Sequence, residues 1–215
     1  AVLLIVFLNK IFWFFGLHGG NVLAPVMASL FGVTMLANLE AYQAGHAIPY
    51  MWTDNSFGAF VWFDAIGVAI AILWQSRNKH YREVAKLGIF PMVFNIGEPV
   101  MYGLPIVLNP IMFIPHVFGG AIIGTFPMFL MHWGLLNKPI FDPPYVGIFL
   151  EGFLTNGDWR TIIVCAIQLV ASVAIYWPFF KIMEKQDEIA ALTQNNKEIF
   201  TKDEEDLLDD LDLDF

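Results

Sequence analysis

Phe94-Asn95-Ile96-Gly97-Glu98-Pro99-Val100-Met101-Tyr102-Gly103-Leu104-Pro105-Ile106-Val107-Leu108-Asn109-Pro110 is the stretch that decides how this chain is read. Pro99, Pro105 and Pro110 each remove a backbone donor, and Gly97 and Gly103 loosen the chain between them. A uniform helix cannot run through it. The surroundings are apolar: of 215 residues 57% are hydrophobic and 14% charged, with 21 Phe, a balance that points to a membrane protein rather than to soluble domains. In a bilayer, broken backbone persists only where protein covers it or water fills a cavity. An ionisable Glu98 in such a place marks a functional site. The plainer alternative is a kinked helix whose Glu pairs with a neighbour. The coincidence of charge, breaks, Asn95 and Asn109 favours the site.

Upstream, Ala1–Phe15 is apolar apart from Asn9 and Lys10, and Gly16-Leu17-His18-Gly19-Gly20-Asn21-Val22 follows. A lone His in an apolar region is ordinarily a hydrogen-bonded core residue. Leu23–Ala37, with Pro25 inside it, reads as a short segment too interrupted for a full span. Asn38–Asn55 reads as a hairpin tip or re-entrant turn, with Glu40 and His46 at the surface and Tyr50 and Trp52 at an interface. Ser56–Trp74 is long enough to cross a hydrocarbon core, and Asp64 within it must face protein or water.

Downstream, Gln75–Lys86 carries Arg77, Lys79, His80, Arg82 and Lys86 against Glu83. The positive-inside tendency makes it cytoplasmic; the sharper reading is contact with a phosphorylated partner. Ile111–Met131 predicts a bent span, with His116 and His132 structural. Gly134–Gly157 is loop-like, Phe149–Leu154 dipping into the membrane. Arg160–Phe180 is the clearest span.

The net charge of −9 belongs to the end of the chain: 12 of the 20 acidic residues lie from Lys181 onward. Lys181–Asn196 predicts a charged amphipathic helix. Thr201–Phe215 predicts a disordered, solvated charge block, its leucines (Leu207, Leu208, Leu211, Leu213) the docking alternative. No basic stripe suggests nucleic acid. Cys165, the one cysteine, excludes intrachain disulfides and reads as packing. No Walker, CxxC or HExxH motif appears, and neither a metal site nor a cofactor is expected. The chain opens without an initiating Met or a signal peptide, which suggests truncation upstream.

The Asn95-x-x-Glu98-Pro99 segment, with Gly103-Leu104-Pro105-Ile106-Val107-Leu108-Asn109-Pro110 after it, resembles the membrane IIC components of lactose/cellobiose (diacetylchitobiose) phosphotransferase systems. Gly16, His18 and Gly19 match that family's Gly-x-His-Gly segment. The resemblance runs to about Phe180 and covers the C-terminal half of a IIC component. It implies an all-α integral membrane protein, with transmembrane helices and broken, re-entrant helical hairpins around a central sugar site. Residues 1–180 would be the membrane transport domain and 181–215 an acidic cytoplasmic tail. It further implies a multi-pass protein of the bacterial inner (plasma) membrane and a β-linked disaccharide phosphorylated at its 6-hydroxyl. The phosphoryl group would come from a phosphocysteine on a cytoplasmic IIB protein, and the full-length protein would be a homodimer. Two departures stand out: Phe63 and Asp64 where the family is glycine-rich and uncharged, and Gly97 where it commonly has Asn.

Sugars are polyols, so their site needs groups that donate and accept hydrogen bonds in a dry cavity. The 6-hydroxyl is a poor nucleophile and needs a positioned proton acceptor. Glu98 is expected to hold the reacting hydroxyl and His18 to share sugar binding or proton handling; these two are the catalytic candidates. The substrate-binding set is His18, Gly19, Asn21, Asn95, Glu98 and Asn109, with Asn95 either shaping the turn or binding sugar. Two other classes fit the same residues: an ion-coupled secondary carrier with Glu98 as its proton site, and a membrane scaffold acting through the acidic tail.

Overall fold

The structure, a computed structural model, describes the backbone of residues 1–211 and the side chains of residues 1–197 and 199. Among the described residues there is no strand. The helices are α1 (Val2–Phe14), α2 (Gly19–Phe31), α3 (Thr34–Gln43), α4 (Asn55–Phe60), α5 (Phe63–Gln75), α6 (Lys79–Val93), α7 (Glu98–Gly103), α8 (Pro110–Phe113), a π-helical turn (Ile114–Gly119), α9 (Gly120–His132), α10 (Ile148–Asn156) and α11 (Arg160–Leu211). Ala1–Phe180 and Lys181–Phe215 are separate compact units.

Among the described residues four stretches are long and apolar enough to cross a membrane: Gly19–Gln43, Asn55–Gln75, Pro110–His132 and Arg160–Lys197. They differ in cover. In the 55–75 stretch 83% of the apolar window is buried inside the protein, against 22% for 19–43. Helix α5 is therefore the central element, and α2–α3 presents its side chains outward, where lipid replaces protein as the apolar phase. Without a hydrophobic drive between helices in lipid, close approach depends on small residues. Gly67 of α5 illustrates this: a Cβ there would collide with the Ser172 side chain of α11. Ser172 Oγ uses the closeness to donate to Asp64 O at 3.0 Å.

The proline-rich stretch breaks as its residues dictate. Helix α6 ends at Val93, and the N–H groups of Phe94, Asn95 and Ile96 fold back onto Pro91 O and Met92 O. Asn95 takes the left-handed conformation (φ 64°) that short polar side chains tolerate. Leu108, also left-handed (φ 56°), is held by its N–H donating to Phe14 O at 2.9 Å. Asn109 then caps α8, its Oδ1 accepting from Ile111 N–H at 3.0 Å. The π-helical turn that follows contains Pro115, whose missing donor disturbs the i→i−4 ladder.

Three expectations change. Leu23–Ala37 is part of a stretch long enough to span, because the join at Gly32 and Val33 keeps right-handed dihedrals and so preserves the chain direction. Trp52 is not interfacial; it is 3% exposed and packs against Phe57 and Phe60 at ring separations of 5.5 and 6.2 Å. The backbone of residues 201–211 is helical rather than irregular, in line with the helix-forming Lys, Glu and Leu there. Residues 212–215, and the side chains of Leu207, Leu208, Leu211 and Leu213, lie outside the described residues.

Candidate functional site

Helix α1 stops at Phe14, and Gly16, at φ +78°, turns the chain in a conformation a side chain would resist. The turn delivers His18 to the start of α2, where its Nδ1 accepts from the Asn21 N–H at 3.1 Å. That bond fixes the ring: with Nδ1 accepting, the proton of the neutral imidazole sits on Nε2. Nε2 faces Glu98 Oε1 at 3.6 Å. The Trp13 ring lies 4.5 Å from the imidazole, centroid to centroid. Gly19 is needed for space, since a Cβ there would stand 2.5 Å from Asn9 O.

Two bonds stitch the His18 turn to the broken segment. Tyr102 Oη, on the same short helix as Glu98, donates to Gly16 O at 3.2 Å, and Leu108 N–H donates to Phe14 O at 2.9 Å. The structure thus brings together Glu98 and His18, 80 residues apart in the chain. Both side chains are partly open, at 43% and 36% exposed.

His18 and Asn21 line a cavity of about 580 Å³, with Asn9, Trp62, Asp54, Asn55, Asp142 and Tyr145 among the other walls. Its size lies in the range of small-molecule sites. Glu98 is not one of its walls; it meets the cavity through His18. Burial, then the neighbouring Asp142 charge, raises the Asp54 carboxyl above its usual value. Among the described residues no three His, Cys, Asp or Glu side chains are grouped so as to hold a metal ion.

The remaining expected residues are placed differently. Asn95 donates through Nδ2 to Gly58 O (3.1 Å) and to Glu151 Oε2 (3.0 Å), so its side chain braces the turn before Glu98. Asn109 spends both ends of its amide on its own turn, Nδ2 donating to Pro105 O at 2.9 Å and Oδ1 accepting from Ile111. Gly19 lies behind the cavity wall, against Asn9. Glu40 and His46 are exposed, His132 is exposed, and Cys165 is fully buried.

Sequence reasoning missed Glu151, a fully buried carboxylate beneath the cavity wall at Gly58. Burial pushes it up to about 7, against the pull of the Asn95 hydrogen bond and with the help of Asp142. It also missed the partner of Asp64. Lys10 Nζ sits 2.7 Å from Asp64 Oδ1, both side chains 1% exposed. A signal was present: one lone cation and one lone anion, each stranded in an apolar run, pair with each other when nothing else is near.

Residues 1–120 match the family described as Phosphotransferase system, EIIC. The chain is 34% identical over 218 residues to the PTS system cellobiose-specific EIIC component of Lactococcus lactis subsp. lactis, covering 87% of this chain and 44% of that protein. It is 27% identical over 204 residues to the PTS system lactose-specific EIICB component of Staphylococcus aureus, covering 89% of this chain and 35% of that protein. The crystal structure of the transporter ChbC, the IIC component from the N,N'-diacetylchitobiose-specific phosphotransferase system, superposes with a TM-score of 0.79 at 28% identity, over 86% of this chain and 45% of that one. The chain spans less than half the length of each of these proteins.

Proposed function

The chain belongs to the phosphotransferase system EIIC family, and from that premise we propose that it is the sugar-binding part of a permease that moves a β-linked disaccharide across the bacterial plasma membrane, the sugar being phosphorylated on its 6-hydroxyl by a cytoplasmic IIB protein. The observation that carries this reading is the His18–Glu98 contact of 3.6 Å, made between two backbone breaks at the edge of a polar-walled cavity. The relatives named for cellobiose and for lactose, and the diacetylchitobiose transporter, agree on the substrate class. The Staphylococcus aureus relative is named EIICB, which supports a IIB partner. Residues 1–180 are proposed as the transport domain, 181–215 as a cytoplasmic acidic tail, and the full-length protein as a homodimer.

The chemistry follows from the geometry. The Glu98 carboxylate accepts a hydrogen bond from the sugar 6-hydroxyl and takes its proton as the oxygen attacks phosphorus. The bond from phosphorus to the IIB cysteine sulfur breaks, and sulfur leaves as thiolate. His18 Nε2–H, 3.6 Å from Glu98 Oε1, faces the carboxylate and helps orient it. The Trp62 ring, in the cavity wall, offers an apolar face to a sugar, with the buried Trp13 packed behind it. The test is Glu98→Gln in the complete transporter, reconstituted with phosphorylated IIB. Sugar phosphate formation should fall about a hundredfold or more, with membrane insertion intact. Near-normal formation overturns the assignment, and accumulation of free sugar instead of sugar phosphate identifies an ion-coupled carrier.

A further inference from the structure

Lys10 does more than neutralise Asp64. Its Nζ donates to Val61 O at 3.0 Å, pairs with Asp64 Oδ1 at 2.7 Å, and stands 5.4 Å from the centre of the Trp62 ring. All three partners lie within four consecutive residues, at the place where α4 ends (Phe60) and α5 begins (Phe63). A carbonyl released at a helix break in a membrane has no water to satisfy it. Lys10, reaching over from α1, supplies the donor. Val61 and Trp62 are also walls of the cavity, as is Asn9, the residue before Lys10.

The anchor is itself built in. Asp64 Oδ2 accepts from Tyr176 Oη at 3.4 Å and lies 3.5 Å from His116 Nδ1, while Ser172 holds the Asp64 carbonyl. Lys10, Asp64, His116 and Tyr176 are each no more than 2% exposed. On α9, Gly120 leaves room for the pair: a Cβ there would come within 2.7 Å of Asp64 Oδ2 and 3.1 Å of Lys10 Cε.

We propose that Lys10 and Asp64 are positioning residues for the sugar site. They pin the α4–α5 break so that Trp62 stands in the cavity wall, in edge-on contact with Trp13, which in turn packs on His18. The Trp13–Trp62 centroid separation is 5.8 Å at an interplanar angle of 87°. Two consequences separate this from a purely structural role. A buried ion pair replaced by apolar residues of similar volume commonly costs little stability. Such a replacement would leave Val61 O without its donor and Trp62 without its cation. Folding would then survive and the wall would move.

This inference rests on the cavity being the sugar site, and the experiment keeps the two apart. Lys10→Met/Asp64→Leu, Lys10→Arg and Glu98→Ala are made in the complete transporter in detergent. Cellobiose affinity is measured by calorimetry, and Trp62 is followed without sugar by the ¹⁹F resonance of 5-fluorotryptophan, assigned with Trp62→Phe. The expected result is a double variant with wild-type helical content, a displaced Trp62 resonance and cellobiose affinity lower by about tenfold or more. Lys10→Arg, which keeps the charge and the donors, should restore most of both readouts. An unmoved Trp62 resonance in the folded double variant overturns the proposal, whatever cellobiose does. So does wild-type affinity in that variant while Glu98→Ala binds weakly. If the Trp62 resonance moves but neither variant changes affinity, the sugar reading fails and the pin stands. If the double variant does not fold, Gly120→Ala, which crowds the pair without altering charge, takes its place under the same readouts.

Discussion

Asn95 and Glu151 are joined across the fold, Nδ2 of one donating to Oε2 of the other at 3.0 Å from a left-handed backbone. The same Nδ2 donates to Gly58 O, so the turn three residues before Glu98 is tied to both α4 and α10. The position of the Glu98 carboxylate is thereby set by two elements distant in sequence.

Replacing Asn95 tests that bracing. Asn95→Ala removes both bonds and leaves a residue poorly suited to φ 64°. It should cost about 1–3 kcal/mol, read as a lower thermal midpoint in detergent, and should reduce sugar phosphorylation. Asn95→Gly keeps the dihedral and loses the bonds, so it should recover part of the stability and little of the activity. Equal activity in all three proteins would show that the turn holds itself.

Glu151 predicts a pH effect. Its carboxyl is raised from 4.5 to about 7, with burial the main cause; it faces Asn95, and the Asp142 charge pushes the same way, while Tyr145 and Asp54 stand nearby. A carboxyl raised in the folded state binds more protons there than in the unfolded chain. Its contribution is therefore complete below about 4.5 and is lost as pH rises through about 7. The thermal midpoint should decline across that window, and Glu151→Gln, which cannot ionise, should flatten the decline. A parallel decline in both proteins would assign it to another group.

Gly19 should tolerate no side chain. A Cβ there meets Asn9 backbone at 2.5 Å, and backbone cannot swing aside. Gly19→Ala should destabilise by about 1–3 kcal/mol, as overpacking does, and displace His18 next to it. Unfolding curves and phosphorylation rates check both parts. Gly45→Ala, in open space but at φ +70°, supplies the contrast: a strain effect without the site effect.

Three of the five histidines, His18, His116 and His132, should separate by role. His18→Ala removes the Nε2 contact with Glu98 and the cap on α2, and should lower phosphorylation about a hundredfold. His132→Ala, at an exposed position, should leave it unchanged. His116→Ala empties a buried place beside Tyr176 and should show mainly as lost stability. Assays of sugar phosphate and of thermal midpoint on the same preparations distinguish these outcomes.

The central break was legible because its causes are local. Proline removes a donor wherever it stands, and no tertiary contact restores it. Glu98 and His18 were legible because polar groups stranded in apolar sequence are rare and short motifs surround them. Asn95 and Asn109 show where such reading stops. Both are polar, both flank Glu98, and the choice between a ligand-binding amide and a turn-bracing one depends on what other elements bring near. Gly58 and Glu151 lie 37 and 56 residues from Asn95, and their approach is a product of packing. Lys10–Asp64 is the same lesson with a better outlook, since two isolated opposite charges in membrane segments constrain one another. The span at Gly19–Gln43 is not legible in the sequence because Pro25 resembles a break, whereas α2 carries it inside the helix.

The bond from Asn21 N–H to His18 Nδ1 ties the ring to the helix it caps. The start of α2 and the placement of the ring proton are one object: while the first turn of the helix is wound, Nδ1 is occupied and only Nε2 can exchange with Glu98. Unwinding that turn frees the second nitrogen and lets the proton change ends. Any tilt or fraying of α2 is therefore written into the imidazole tautomer, and the ¹⁵N shifts of a single ring would record the mechanical state of the helix it caps.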